Sequence, residues 1–228
     1  PVSVPMLDIH TVGAGGGSLA RFDGGGALCV GPASAGADPG PICYGRGTEP
    51  TVTDANLVLG RLDAGGLLGG GFALDSGRAR QFLERAKGPL PTVEAFAEGI
   101  LRLAEARMEK ALRQISVERG FDPREFTLVS FGGAGPLHAC ALAASLEMPR
   151  VLVPCLPGAL SALGILLSDM VNDYSRTVML RHDGAEVAAA LQRHFRELEA
   201  RGRQEMEEDG LRARPRRSLD LRYAGQGY

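Results

Sequence analysis

The distribution of glycine constrains this chain more than any other feature. Its 32 glycines among 228 residues are about twice the usual share of roughly 7%. They follow no three-residue period, which excludes a collagen helix. They fall instead into short runs: Gly15 to Gly17, Gly24 to Gly26, the stretch from Gly65 to Gly71, and Gly132-Gly133-Ala134-Gly135. Such a chain turns tightly between short elements and lines its sites with backbone rather than side chains. A content of 44% hydrophobic and 23% charged residues argues for a packed core rather than disorder. A net charge of −2 offers no electrostatic footprint for nucleic acid or an anionic membrane. No run approaches the roughly 18 apolar residues of a membrane span.

The length suits one main core. Cys29, Cys43, Cys140 and Cys155 have no C-x-x-C spacing, so a structural zinc site is not expected. They read as buried thiols of a reducing, cytoplasmic compartment. The start lacks both an initiator Met and a signal-peptide pattern. The far end alternates like a strand over Leu219 to Tyr223 and stops soon after. Both ends read as cut, as in an internal piece of a longer protein.

Leu19 to Phe22 and Ala27 to Val30 flank Asp23-Gly24-Gly25-Gly26 and read as a hairpin. Residues 31–53 form a proline- and glycine-rich loop. Helices are expected over Asp54 to Leu62, capped by Asp54, over about Gly77 to Lys87, and from a Thr92 cap to Gly120. The last carries Val93, Phe96, Ile100, Ala104, Met108, Ala111 and Ile115 at spacings of three and four. An α/β alternation follows: strand Phe126 to Phe131, helix Pro136 to Leu146, strand Val151 to Val153, and helix Ala159 to Ser168. Asp173 to Leu180 and Ser218 to Tyr223 read as further strands. Between them, Glu186 to Asp209 reads as a charged helix with Val187, Leu191, Phe195 and Leu198 on one side.

Three constellations can carry chemistry. In the first, Asp8 and His10 precede Gly15, Gly16 and Gly17, whose bare amides can cradle an anion. The plainer alternative is a glycine-rich turn with Asp8 and His10 as local hydrogen bonders. In the second, a strand runs into Gly132-Gly133-Ala134-Gly135 and then a helix opened by Pro136, the place where open α/β sheets bind ligands. His138, in the first turn, is in a position to face such a ligand. The alternative is close strand-to-helix packing that needs only small residues. In the third, Asp38, Arg46 and Asp54 converge on a substrate or Mg2+; alternatively Asp38 makes an Asx turn and Asp54 a helix cap. His182 and His194 sit among charges and read as surface residues. A P-loop, a G-x-S-x-G elbow and an H-E-x-x-H motif are all absent.

Three segments in this order, DIHTVGAGGGS (Asp8 to Ser18), VGPASAGADPGPICYGRGTEPTVTDAN (Val30 to Asn56) and SFGGAGPLHA (Ser130 to Ala139), resemble the hydantoinase A/oxoprolinase family, as does SALGILLSD (Ser161 to Asp169). The resemblance runs over essentially the whole chain. It implies an α/β, actin-like ATPase (ribonuclease H-like) fold with a mixed sheet, helices on both faces and a glycine-rich hairpin region. It divides the chain into a core over residues 1–175 and the start of a C-terminal domain over residues 176–228. It implies ATP, with Mg2+, activating a cyclic amide of the hydantoin or 5-oxoproline type by phosphorylating its carbonyl oxygen. A hydantoinase B-type partner then completes ring opening, within a homo- or hetero-oligomer.

On this resemblance Gly132, Gly133 and Ala134 form the adenosine loop. Asp8, His10 and Gly15 to Gly17 lie near substrate or phosphates, and Asp38 joins Asp8 and His10 as a candidate catalytic side chain. The chain departs from the family in one respect. The family's two main phosphate loops, of D-x-G-G-T and M-G-G-T type, precede the Asp8 motif, and neither occurs in these residues. Two other functions remain open: a subunit of a biotin-independent ketone carboxylase, and an inactive interaction module.

Overall fold

A computed structural model describes residues 9–65, 71–181, 185–224 and 226. They form two compact units that divide between Leu166 and Leu167. Asp8, His182 and the centre of the expected turn between Gly65 and Gly71 lie outside the described residues. Among the described residues, no helix is long and apolar enough to cross a membrane.

The first unit opens with an antiparallel hairpin of β1 (Ser18–Phe22) and β2 (Leu28–Ser34). Asp23 shapes its turn: one carboxylate oxygen accepts from the amides of Gly25 and Ala27 at 2.9 and 2.8 Å. Gly26 takes the left-handed backbone that closes the turn, at φ 82°. β2 extends four residues beyond the expected Val30, and its proline-rich end still pairs, with Ser34 opposite Ser18.

α1 spans Val52–Val58. It starts two residues earlier than the sequence suggests, because Thr51 and not Asp54 is the cap. The Thr51 side chain accepts from the Asp54 amide while the Asp54 carboxylate accepts from the Thr51 amide, a reciprocal box that satisfies two orphan donors. α1 also ends before Leu62, where Gly60 turns left-handed at φ 70° and its amide donates to Leu57. α2 (Ser76–Ala86) is capped by Asp75. α3 (Val93–Ile115) is capped by Thr92, as its sequence predicts. It stops short of Gly120, which closes a separate one-turn 3-10 helix over Val117–Arg119.

α3 forms the wall of the main core. Phe96, Ala97, Ile100, Leu101 and Ala104 are buried with Ala20, Val30, Ile42, Val52, Ala55 and Leu83. Phe22 stacks on Phe96 with ring centroids 5.8 Å apart. The later members of the expected stripe, Met108, Ala111 and Ile115, are half-buried. β3 (Thr127–Val129) and β4 (Arg150–Leu152) pair in parallel through the crossover helix α4 (Pro136–Ser145). α5 (Leu160–Leu167) follows, with Ile165, Leu166 and Leu167 exposed.

The second unit is built on α6 (Ala185–Glu208). Val187, Leu191, Phe195 and Leu198 are half-buried along one side, as expected. The Tyr174 hydroxyl donates to Glu205 at 2.6 Å, Arg176 pairs with Glu197, and Arg217 pairs with Glu199.

Two expectations are corrected here. The described residues form two separate two-stranded sheets rather than one mixed sheet. Asp173 to Leu180 and Ser218 to Tyr223 are not strands, because neither has a neighbouring strand among the described residues to complete a ladder.

Two substitutions test this packing. Phe96→Ala should lower stability by about 3–5 kcal/mol through the cavity it leaves, measured by urea unfolding. Thr51→Ala should lower it by about 1–2 kcal/mol through loss of the cap, with the midpoint shifted and the denaturant slope unchanged.

Candidate functional site

The first glycine loop is held from three sides. Ser18 turns it, donating its amide to the Gly15 carbonyl while its hydroxyl accepts from the Gly15 amide, both at 3.0 Å. Thr53, in the first turn of α1, grips the Gly16 carbonyl with its amide at 2.8 Å and its hydroxyl at 2.9 Å. Ala35 donates to the Gly17 carbonyl at 2.9 Å. These contacts explain two of the three glycines. A Cβ on Gly16 would stand 2.7 Å from the Thr53 hydroxyl, and one on Gly17 2.7 Å from the Ser34 hydroxyl. Gly15 has open space beside it. His10 is exposed ahead of the loop.

The second glycine loop approaches the first. A Cβ on Gly16 would lie 3.5 Å from the Ala134 methyl, in ordinary contact. Gly132 takes a left-handed backbone at φ 91° and donates its amide to Pro157 at 2.8 Å. A Cβ on Gly135 would strike the Phe131 carbonyl at 2.7 Å. Gly133 differs from both: its φ is not left-handed and nothing lies within 4 Å of its missing Cβ. The surrounding fold therefore does not demand glycine there. The amides of Gly133, Ala134 and Gly135 find no acceptor among the described residues. Three consecutive bare amides at the start of α4 make a donor edge suited to an anion or a flat polar ring.

His138 does not face this edge. It is fully buried and turns toward α3, where its Nδ1 lies 3.2 Å from Glu105 Oε1. A carboxylate only accepts, so Nδ1 carries the proton. Nε2 is buried without a partner among the described residues. His194, by contrast, is half-buried on α6 beside Arg176 and Glu197.

The third constellation separates. Asp38 pairs with Arg46 at 3.2 Å, and both side chains are exposed. Asp54 is wholly buried and turned the other way. Its carboxylate accepts from the amides of Ile42, Cys43 and Thr51 and from the Thr51 hydroxyl, at 2.7–3.2 Å. Asp38, Arg46 and Asp54 therefore do not converge, and Asp54 is a fastener of the loop. Among the described residues no cluster of three or more His, Cys, Asp or Glu side chains is arranged to hold a metal ion.

The cysteines also depart from expectation: only Cys43 is buried, and Cys29, Cys140 and Cys155 are exposed. Burial, and then the charge of Asp54 beside it, pushes the Cys43 thiol far up from its ordinary range. Neither Thr53, inside the Val30 to Asn56 segment, nor Glu105 stands out in the sequence by residue type or spacing. Their partners lie 37 and 33 residues away, so only the fold reveals them.

Gly16→Ala should break the Thr53 grip and lower stability by about 1–3 kcal/mol, whereas Gly133→Ala should leave the unfolding midpoint within error. Alkylation of the folded chain near pH 8 should modify the three exposed cysteines and spare Cys43 until denaturant is added, read by mass spectrometry.

The Hydantoinase/oxoprolinase family model matches residues 1–174. The caprolactamase alpha subunit of Pseudomonas jessenii is 43% identical over 234 residues, covering 99% of this chain and 34% of that protein. A 5-oxoprolinase of Dictyostelium discoideum is 34% identical, covering 92% of this chain and 18% of that protein. Among solved structures, nucleotide-free acetone carboxylase superposes with a TM-score of 0.78 at 29% identity, covering 88% of this chain and 30% of that one. The chain thus spans about a third or less of the length of these relatives. A match over residues 1–174, a range that includes both glycine loops, places the chain in the hydantoinase/oxoprolinase family.

Proposed function

We propose that the two glycine loops are part of the nucleotide site of an actin-like ATPase, and that the chain belongs to a cytoplasmic subunit that uses ATP to open a cyclic amide. The observation that carries this reading is the Gly133 edge. It has three free amides and an uncrowded glycine, and it stands against a second glycine loop at Gly16. Structure alone does not require glycine at 133, whereas a base or ribose lying on the backbone does.

An amide is a poor electrophile. Transfer of the ATP γ-phosphoryl group to its oxygen forms an O–P bond as the bond to ADP breaks, and the adjacent carbon becomes open to water. Water adds to that carbon, the C–N bond breaks with a proton passing to nitrogen, and a second water cleaves the acyl phosphate left behind to a carboxylate and inorganic phosphate. The residues of this chain contribute position and charge stabilisation. Gly132, Gly133 and Ala134 take the nucleoside, and Gly15 to Gly17 stand toward the phosphates. His10 and Asp38 are exposed on the loops that flank the site, and Asp8 joins them by resemblance. Mg2+ needs only one or two carboxylates when phosphates supply the remaining ligands. The exposed Asp38 is the candidate among the described residues, and the ion would neutralise phosphate charge. A hydantoinase B-type partner completes ring opening.

The fit to acetone carboxylase favours one second reading, in which the same nucleotide chemistry activates the substrates of a ketone carboxylation. Assay of a lactam and a ketone with bicarbonate separates the two.

ATP with Mg2+, titrated calorimetrically into the chain alone and joined to the flanking segments of the caprolactamase subunit, should bind saturably in at least the joined form. Gly133→Val should abolish that binding with an unchanged unfolding midpoint. Unchanged affinity in the variant would remove the nucleoside-loop assignment.

A further inference from the structure

We propose that Glu105 is a positioning residue that fixes the gap between the two glycine loops, by holding Arg61 and His138 on one carboxylate. This rests on reading that gap as the nucleotide site. Glu105 Oε1 accepts from Arg61 Nη1 at 3.4 Å and from His138 Nδ1 at 3.2 Å. Each partner leads to one loop. Arg61 follows α1 and is tied back to it by its amide, which donates to Asn56 at 2.9 Å. α1 carries Thr53, which grips Gly16 twice. His138 lies in the first turn of α4, and its amide donates to Gly135 at 3.1 Å. That turn follows Ala134, whose methyl stands 3.5 Å from where a Cβ on Gly16 would lie. One path runs from Glu105 through Arg61 and α1 to Gly16 and another through His138 to Ala134, so the two ends face each other across the gap between the loops. Their shared anchor stands on α3, beside the fully buried Ala104.

Packing does not explain the choice of residues on these paths. His138 is completely buried, yet Nε2 has no partner among the described residues, and its one side-chain polar contact is Glu105. An apolar side chain would fill that place without stranding a polar atom. The Arg61 contact is partly exposed, with 42% of the Arg61 side chain and 18% of the Glu105 side chain accessible. Such a pair adds little to global stability. A buried imidazole and a half-exposed guanidinium that share one oxygen do determine direction. They allow α4 and the end of α1 only one spacing across α3.

The test reads the loops without nucleotide. Hydrogen exchange is followed in the 228-residue chain at the Ser18 and Thr53 amides of the first loop and the Gly132 and His138 amides of the second. The Phe96 and Ile100 amides of α3 serve as controls. Glu105→Leu should speed exchange about tenfold at both loops, leave the controls unchanged, and weaken ATP binding about tenfold. Glu105→Gln, which keeps an accepting oxygen, should restore most of the protection, and Arg61→Met should loosen the first loop more than the second. Wild-type protection at both loops in Glu105→Leu overturns the proposal. So does a uniform rise that includes the controls, since that is the mark of a merely structural residue. If Glu105→Leu does not fold, Arg61→Met decides: faster exchange at the first loop with unchanged controls supports the proposal, and wild-type protection or a rise that includes the controls overturns it. If the loops loosen as expected but the wild-type chain and its joined form bind no ATP, the positioning role stands and the nucleotide reading falls.

Discussion

The arrangement of the first unit depends on one buried carboxylate. Asp54 accepts four hydrogen bonds, three of them from backbone amides, within a shell of fully buried residues. Without it, the amides of Ile42 and Cys43 would be stranded in an apolar interior, at about 1–3 kcal/mol each. With it, the glycine- and proline-rich loop ahead of α1 has a fixed end and α1 has a fixed start. A helix whose first turn is fixed presents Thr53 at a fixed place, and Thr53 in turn shapes the first glycine loop. Order thus passes from an inaccessible acid to an accessible backbone edge through two threonines.

What could be read from the sequence follows the range of the forces involved. α3 was legible because its apolar spacing and its Thr92 cap are local. The hairpin was legible because Asp23 and three glycines specify its turn. The start of α1 was misassigned because Thr51 and Asp54 both suit a cap, and only their reciprocal bonding decides between them. The alternation in Leu219 to Tyr223 is real. A strand, however, is defined by its neighbour, and alternation says nothing about who that neighbour is. Burial of individual cysteines was likewise invisible, since small thiols suit both interior and surface.

The candidate site was legible as two glycine motifs but not as one place. The approach of the Gly16 and Ala134 loops brings together segments more than 100 residues apart and is a product of topology. Sequence treats all its glycines alike. The fold sorts them: Gly132 is required by its backbone angle, and Gly16, Gly17 and Gly135 by crowding. Gly133 is required by neither. Gly15 shares this freedom, so the fold leaves one glycine in each loop without a structural reason. His138 shows the reverse. Its position in the sequence suggested a ligand contact, and the fold turned it inward to Glu105.

The sheet of β3 and β4 has one further consequence. Two strands of three residues each are a marginal platform on their own. Val129 and Leu152 stand about half exposed on it. Both outer edges lack a paired strand among the described residues. Such edges are templates that accept any extended segment of suitable register. In this chain such an edge would stand beside the strand that leads into the second glycine loop, so whatever pairs there would also brace that loop.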